Sequence, residues 1–354
     1  HSYTLFKEEL GLFDLKTKNF KPYSLPFTIF KQVRCEGKYA VFIGGGYNIP
    51  TQVVALDMIS GSYVCIRKSL EFDIKPLLPY LSRPECIEFP TQNNLTAFAN
   101  YYPPKNERYK DEGKAPVLVF IHGGPTGQAS TQLSFSIQFW TSRGFGVADV
   151  NYGGSTGYGK AYRNRLKSPD IKTKPGNWGV VDVADCCSCV RHLIKLNRVN
   201  PNQTAIRGGS AGGFTTLACL CFADVFKAGA SYYGVTDLEA LAKETHKFES
   251  RYLDALVGLY PEAKEVYKSR SPLWHADKIT SPVLLFQGLD DKVVPPNQAQ
   301  MMLKALKSNN IDAELVEFEG EAHGFRQAKN IITALETELG FYLRVFGIQK
   351  RRTE

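Results

Sequence analysis

Ser210 stands in Gly208-Gly209-Ser210-Ala211-Gly212, a G-x-S-x-G pattern. Residues 203–207 before it read as a short strand and residues 214–222 after it as a helix, so the serine falls on a sharp strand-to-helix turn. Small neighbours let other backbone pass close by, and the turn points the hydroxyl out of the sheet. Taken alone, the pattern also fits an ordinary tight turn. A serine hydroxyl is a poor nucleophile near neutral pH. It needs a base within hydrogen-bond reach and a further group to orient that base.

The chain has six histidines, at positions 1, 122, 192, 246, 275 and 323. Where a serine occupies such a turn, the acid and then the histidine follow it in the chain. Only His323 follows both Ser210 and an acid at a strand end. It lies in the loop Glu319-Gly320-Glu321-Ala322-His323-Gly324, between a strand-like run at 314–318 and a helix from about Ala328. His275, ahead of the next strand, reads as structural. The preceding buried-strand run, 282–287, empties into Gly288-Leu289-Asp290-Asp291-Lys292-Val293-Val294-Pro295. Both aspartates are in the right loop, and one or both also read as caps of a helix beginning near Pro296. The apolar run 117–121 ends in His122-Gly123-Gly124-Pro125. An N–H from that turn and the N–H of Ala211 would bind a developing oxyanion, each worth ~3 kcal/mol in the transition state. Four features in this order describe acyl transfer through a serine nucleophile on an α/β-hydrolase fold.

The elements that position these residues come in two kinds. Residues 1 to about 70 read as short antiparallel strands: 12–15 turning into Phe20 onward, 39–43, 51–57 and 63–66, with a turn through Gly44-Gly45-Gly46 and Asn48-Ile49-Pro50. Four strands in about 40 residues is the length of one propeller blade. One or two blades cannot close a ring, so this region reads as the end of a larger propeller, with a small β-meander as the alternative. Residues 73–82, rich in proline and leucine, cross between domains, which places the division at 1–80 and 81–354. A hairpin at 86–90 and 95–102 then opens the second domain. From Val117 onward strands and helices alternate, which implies a mostly parallel sheet with helices on both faces and the catalytic loops at the strand carboxyl ends.

Composition narrows the function classes. In 354 residues, 43% hydrophobic content supports a large core. The net charge is +8, but lysine and arginine are scattered among acids and the one tight cluster, Lys350-Arg351-Arg352, reads as a solvated tail. No basic stripe argues for nucleic acid, and no apolar stretch is long enough to span a membrane. Cys186, Cys187 and Cys189 fall on one helix and Cys219 and Cys221 on another. They read as small buried hydrophobes in a reducing, cytoplasmic setting, without zinc spacing. Gly154-Ser155-Thr156-Gly157-Tyr158-Gly159-Lys160-Ala161 nearly spells a phosphate-binding loop, but Ala161 stands where magnesium needs a hydroxyl, so it reads as a flexible loop near the site rim. No metal or organic cofactor is expected. The sequence leaves room for a homo-oligomer.

From about Ser82 to Phe346 the chain resembles the prolyl oligopeptidase family of serine peptidases, within it the acylaminoacyl-peptidase and dipeptidyl-aminopeptidase branch. The likeness is carried by Pro84-Glu85, Ile87-Glu88-Phe89-Pro90-Thr91, His122-Gly123-Gly124-Pro125 and Asn151-Tyr152 with residues 154–159. It continues through Trp178-Gly179-Val180-Val181-Asp182-Val183, residues 208–213, Phe248-Glu249-Ser250-Arg251-Tyr252-Leu253, the Asp291 loop and Glu321-Ala322-His323-Gly324-Phe325. The resemblance implies a propeller capping the α/β-hydrolase domain and an oligopeptide substrate hydrolysed near its N-terminus. It implies Ser210 as nucleophile, His323 as base and Asp291 as orienting acid, since Gly288, Asp291, Val294 and Pro295 fill a G-x-x-D-x-x-V-P pattern. It further implies Gly124, with Gly123 a close rival, and Ala211 as oxyanion donors, and Tyr252 and Val294 as lining of an apolar substrate pocket. Two departures bear on substrate clamps: Gly153 and Val293 stand where many or some relatives carry arginine. Residues 167–174 read as a surface insertion.

Overall fold

The computed structural model describes residues 2–4, 7–108, 114–244 and 251–349. His1, His246, residues 248–250 of the motif around Tyr252 and the Lys350 cluster lie outside them. The strands are β1 (Ser2–Thr4), β2 (Lys7–Glu9), β3 (Gly11–Phe13), β4 (Phe20–Pro22), β5 (Ile29–Glu36), β6 (Tyr39–Gly46), β7 (Ile49–Asp57) and β8 (Tyr63–Lys68). They continue with β9 (Glu85–Pro90), β10 (Thr96–Tyr102), β11 (Ala115–Ile121), β12 (Gly146–Asn151), β13 (Val199–Gly209), β14 (Ala228–Tyr232), β15 (Val283–Gly288) and β16 (Ala313–Phe318). The helices are α1 (Phe135–Thr141), α2 (Gly159–Arg163), α3 (Val181–Lys195), α4 (Ala211–Phe222), α5 (Leu238–Glu244), α6 (Tyr252–Leu256), α7 (Lys264–Arg270), α8 (Pro296–Ser308) and α9 (Ala328–Val345). By its internal contacts the chain divides into two units. One holds residues 1–86, 100–113 and 130–147, and the other holds 87–99, 114–129 and 148–354.

In the first unit, β5-β6-β7-β8 form a four-stranded antiparallel sheet in sequence order. Its core is Phe27, Phe30, Phe42, Val54 and Leu56, with Phe27 and Phe42 edge to face at 5.8 Å. The strand β6 runs through Gly44 to Gly46, which the sequence reading gave to a turn. A Cβ at Gly44 would press on the Phe27 ring at 3.0 Å, so this glycine makes room for an aromatic side chain. Pairs β1-β2 and β3-β4 are short antiparallel ladders.

The larger sheet has eight strands in the order β16-β15-β14-β13-β11-β12-β10-β9. Neighbours β11-β13-β14-β15-β16 are all parallel. Their residues are apolar on consecutive positions, as in Val117-Leu118-Val119 and Val283-Leu284-Leu285-Phe286, all 2% exposed or less. Such runs are what strands covered on both faces require. Helix α4 packs on β13 and β14, and α3 packs on α4. Eleven of the twelve α4 residues are buried, so this helix is apolar all round. The five cysteines of α3 and α4 are buried thiols, and among the described residues no cysteine is in a disulfide. No helix of the described residues is long and apolar enough to cross a membrane.

Candidate active site

β13 ends at Gly209, and Ser210 carries the chain into α4 with φ 57° and ψ −122°. For a residue with a Cβ this is a strained backbone, worth about 1–3 kcal/mol. The surroundings enforce it. The Ser210 N–H donates to the Tyr232 carbonyl at 3.0 Å on the neighbouring strand. Gly208 and Gly212 lie against each other, and a Cβ on Gly212 would overlap the Ile121 carbonyl oxygen at the end of β11. The glycines of the motif therefore answer to close backbone approach. Gly212→Ala should cost about 1–3 kcal/mol or more and displace the serine, lowering kcat. Gly340→Ala, on α9 with nothing near its Cβ, should leave both unharmed. Melting curves and turnover of the two variants check this.

His323 follows β16. Its Nδ1 lies 2.7 Å from Asp291 Oδ2 and its Nε2 lies 2.8 Å from Ser210 Oγ. The Asp291 carboxylate is fully buried, while the imidazole is 22% exposed, enough for a substrate to reach it. Asp291 Oδ1 accepts the N–H groups of Val293 and Val294 at 2.8 and 3.0 Å. Gln287 Nε2 donates to the Val294 carbonyl at 3.1 Å and reaches Asp291 Oδ2 at 3.4 Å. One carboxylate oxygen is thus fixed by its own loop and the other is turned to the ring. Asp290, the other aspartate left open by the sequence, is exposed, and its N–H donates to the Glu321 carbonyl. Neither aspartate caps α8, whose N-cap is Pro295 without a side-chain bond. The expectation of a helix cap is corrected: the Asp291 side chain caps its own turn.

Gly123 lies beside Ser210, and a Cβ there would sit 3.6 Å from Ser210 Cβ and 3.3 Å from the Gly209 carbonyl oxygen. Ala211 is the first residue of α4, so its N–H has no partner within the helix. Tyr252 reaches the same turn, its hydroxyl donating to the Gly124 carbonyl at 3.2 Å and lying 2.8 Å from Thr126 Oγ1. Val294, within the Asp291 loop, is 1% exposed.

Several contributors escaped the sequence reading. Glu321 is buried two residues before the histidine, and its carboxylate accepts the N–H groups of Arg326 and Gln327 and the Asn330 amide, each at 2.9 Å. Burial opposes its charge, but those hydrogen bonds outweigh it and lower its pKa. Glu321 therefore fastens the His323 loop to the start of α9, and an acid just ahead of a helix was the available signal. The Tyr233 ring meets the His323 ring edge-on at 4.9 Å. The stretch 154–161 is held by its neighbours: Gly154 N–H donates to the Tyr162 carbonyl, Ser155 N–H to that of Tyr152 and Thr156 N–H to that of Gly127. Ser155 is fully buried. The expected flexible loop is thereby corrected to a pinned one, because its N–H groups are spent on carbonyls of the fold. At Gly153 a Cβ would crowd Val181 and Arg165, and its N–H donates to Asp185 at 2.7 Å. Among the described residues no group of His, Cys, Asp and Glu could hold a metal ion.

A family model described as the prolyl oligopeptidase family matches residues 131–349. Dipeptidyl aminopeptidase BIII of Pseudoxanthomonas mexicana is 30% identical over 283 residues, 77% of this chain and 39% of that protein. The acylamino-acid-releasing enzyme of Arabidopsis thaliana is 28% identical over 232 residues, 62% of this chain and 29% of that protein. The chain thus spans well under half the length of these curated relatives. The structure of a Mycobacterium tuberculosis puromycin-hydrolyzing peptidase matches with a TM-score of 0.92 at 42% identity, over 99% of this chain and 53% of that one.

Proposed function

This chain belongs to the prolyl oligopeptidase family of serine peptidases, and on that premise we propose that it hydrolyses short peptides near their N-terminus through an acyl-enzyme on Ser210. The observation that carries this reading is the continuous relay from Asp291 Oδ2 through His323 to Ser210 Oγ, at 2.7 and 2.8 Å. His323 Nε2 takes the Ser210 proton as Oγ attacks the peptide carbonyl. Asp291 holds the ring with Nδ1–H toward itself and stabilises the imidazolium. The N–H groups of Gly124 and Ala211 receive the oxyanion. His323 then gives its proton to the leaving amine, and water, deprotonated by the same ring, releases the acyl group.

In the same reading residues 1–80 are the last blade or blades of a propeller and 81–354 the catalytic domain. The blade-sized sheet β5-β6-β7-β8 supports the first part. Tyr252 lines the substrate pocket beside Gly124, and Val294, in the Asp291 loop, shapes its wall. The pocket takes small or apolar side chains.

A second reading, a small-molecule amidase or esterase on the same three residues, is favoured by the puromycin-hydrolyzing relative. One panel separates them. Free dipeptidyl anilides, acylated aminoacyl anilides, puromycin and aryl esters are compared by kcat/KM, alongside labelling with a fluorophosphonate. Serine-dependent label with preference for the anilides supports the peptidase reading. Label with preference for puromycin or esters supports the second, and absence of label on folded protein overturns both.

A further inference from the structure

We propose that Tyr233 recognises the leaving half of a peptide substrate, its hydroxyl donating to the carbonyl of the first residue after the scissile bond. This rests on the acyl-transfer reading above. It adds to that site a group which neither the three reacting residues nor the acyl pocket includes.

Tyr233 follows β14 and takes φ 39°. A bulky side chain is rarely found there, and holding it so is a strain on the backbone. The ends of the neighbouring strands impose it. The Tyr233 N–H donates to the Phe286 carbonyl at 2.6 Å, and the carbonyl just before it, that of Tyr232, accepts the Ser210 N–H at 3.0 Å. A glycine would relieve this position, so the strain is tied to what the aromatic side chain does.

Among residues 228–238, Tyr233 alone is not buried. Its ring lies over Gly209, the residue before Ser210, where a Cβ would come within 2.9 Å of the ring and 3.1 Å of the hydroxyl oxygen. The same ring meets that of His323 at 4.9 Å. Phe325 stands edge-on to it at 5.5 Å and is itself braced by Phe318 at 4.7 Å. The ring is thus fixed between Gly209 and His323. Among the described residues none hydrogen-bonds its hydroxyl. Burial and the Asp291 charge raise its pKa against the opposing pull of Arg207, so the hydroxyl stays a donor near neutral pH.

The mechanism says which half of the substrate this donor meets. His323 Nε2 gives its proton to the leaving amine, so that nitrogen comes within hydrogen-bond reach of the imidazole. The acyl half lies toward Gly124 and Tyr252. A side chain set against the His323 ring therefore flanks the leaving half. In a peptide the leaving nitrogen is followed by one carbon and then a carbonyl. An anilide or an aryl ester carries a ring there and offers no such acceptor. A free O–H at this spot favours a true peptide over a small amide or ester.

The test uses Tyr233→Phe, which removes one oxygen and keeps the ring on Gly209 and His323. Two substrates share one acyl half, a peptide with a residue after the scissile bond and an anilide. The ratio of their kcat/KM values, peptide over anilide, should fall about three- to tenfold in the variant. A second measurement starts from the acyl-enzyme formed by one aryl ester and lets it partition between water, glycinamide and propylamine. Each amine attacks the acyl carbon and loses a proton to His323, which passes it to the departing Ser210 Oγ. Glycinamide has the carbonyl and propylamine lacks it, so the preference for glycinamide should fall by a similar factor. If wild type acts on esters alone, this second measurement decides. The proposal is overturned if the ratio stays within twofold of wild type, whether every substrate slows alike, as expected of a residue that only steadies His323, or none does. A wild-type chain that neither turns over nor takes a fluorophosphonate label would instead overturn the acyl-transfer reading beneath it.

Discussion

Replacing Ser210 by alanine is expected to lower kcat by about 10⁴-fold or more, and His323→Ala by a similar factor, with the fold intact. The three side chains act as one unit, so combining the two substitutions should cost little more than either alone. Asp291→Asn should also be severe. Its amide would offer a donor where the ring needs an acceptor, turning His323 to the tautomer that cannot take the Ser210 proton. Asp291 Oδ1 also supports its own turn through Val293 and Val294, so this variant should lose some stability, unlike Ser210→Ala. Steady-state turnover on the best anilide, with circular dichroism as the control for folding, measures all of this. Near-normal turnover in Ser210→Ala would sink the assignment.

The second large effect concerns stability and lies beneath the nucleophile. Arg207, three residues before Ser210 on β13, places Nε 3.0 Å from Glu338 Oε1 on α9, with side-chain exposures of 12% and 0%. Tyr232 donates to Glu338 Oε2 at 2.6 Å and Tyr342 to Oε1 at 2.9 Å. Burial works against the Arg207 charge and is the largest single influence on it, but the glutamate beside it and the surrounding tyrosines together outweigh that and raise its pKa. Glu338→Ala removes the buried carboxylate that a guanidinium and two tyrosine hydroxyls share. The expected cost is about 3–5 kcal/mol, read as a lowered urea midpoint. An apolar pair, Arg207→Met with Glu338→Leu, should recover most of it, because what is costly is the unmatched charge. A single variant as stable as wild type would show that water or a rearranged side chain takes the carboxylate's place.

That Ser210, His323 and the strand ends that carry them meet was readable because they obey an order along the chain and abut apolar runs. The choice between Asp290 and Asp291 was not readable from strand and loop alone. Both sit at the end of β15, and the difference lies in which side chain folds back on the N–H groups of Val293 and Val294. Gly44-Gly45-Gly46 was misread as a turn because glycine marks both turns and close packing, and only the Phe27 ring tells them apart. The pinned stretch after Asn151 was misread for a related reason. Its partners, His122 and Gly127, lie about 30 residues earlier in the chain, so nothing local announces them. Tyr233 acts on His323 through space and has no signature of spacing, while Gln287, four residues ahead of Asp291, is local but reads as one more residue of a buried strand.

The backbone angles of Ser210 set two selective pressures against each other. A glycine would relax this position, so the conformation that exposes the hydroxyl is kept at some expense of stability. A lineage or laboratory screen rewarded only for heat resistance would drift toward glycine there and retain a sturdier protein with nothing to acylate. On the acyl-transfer reading, serine persists at such an angle only while each generation is also tested for turnover.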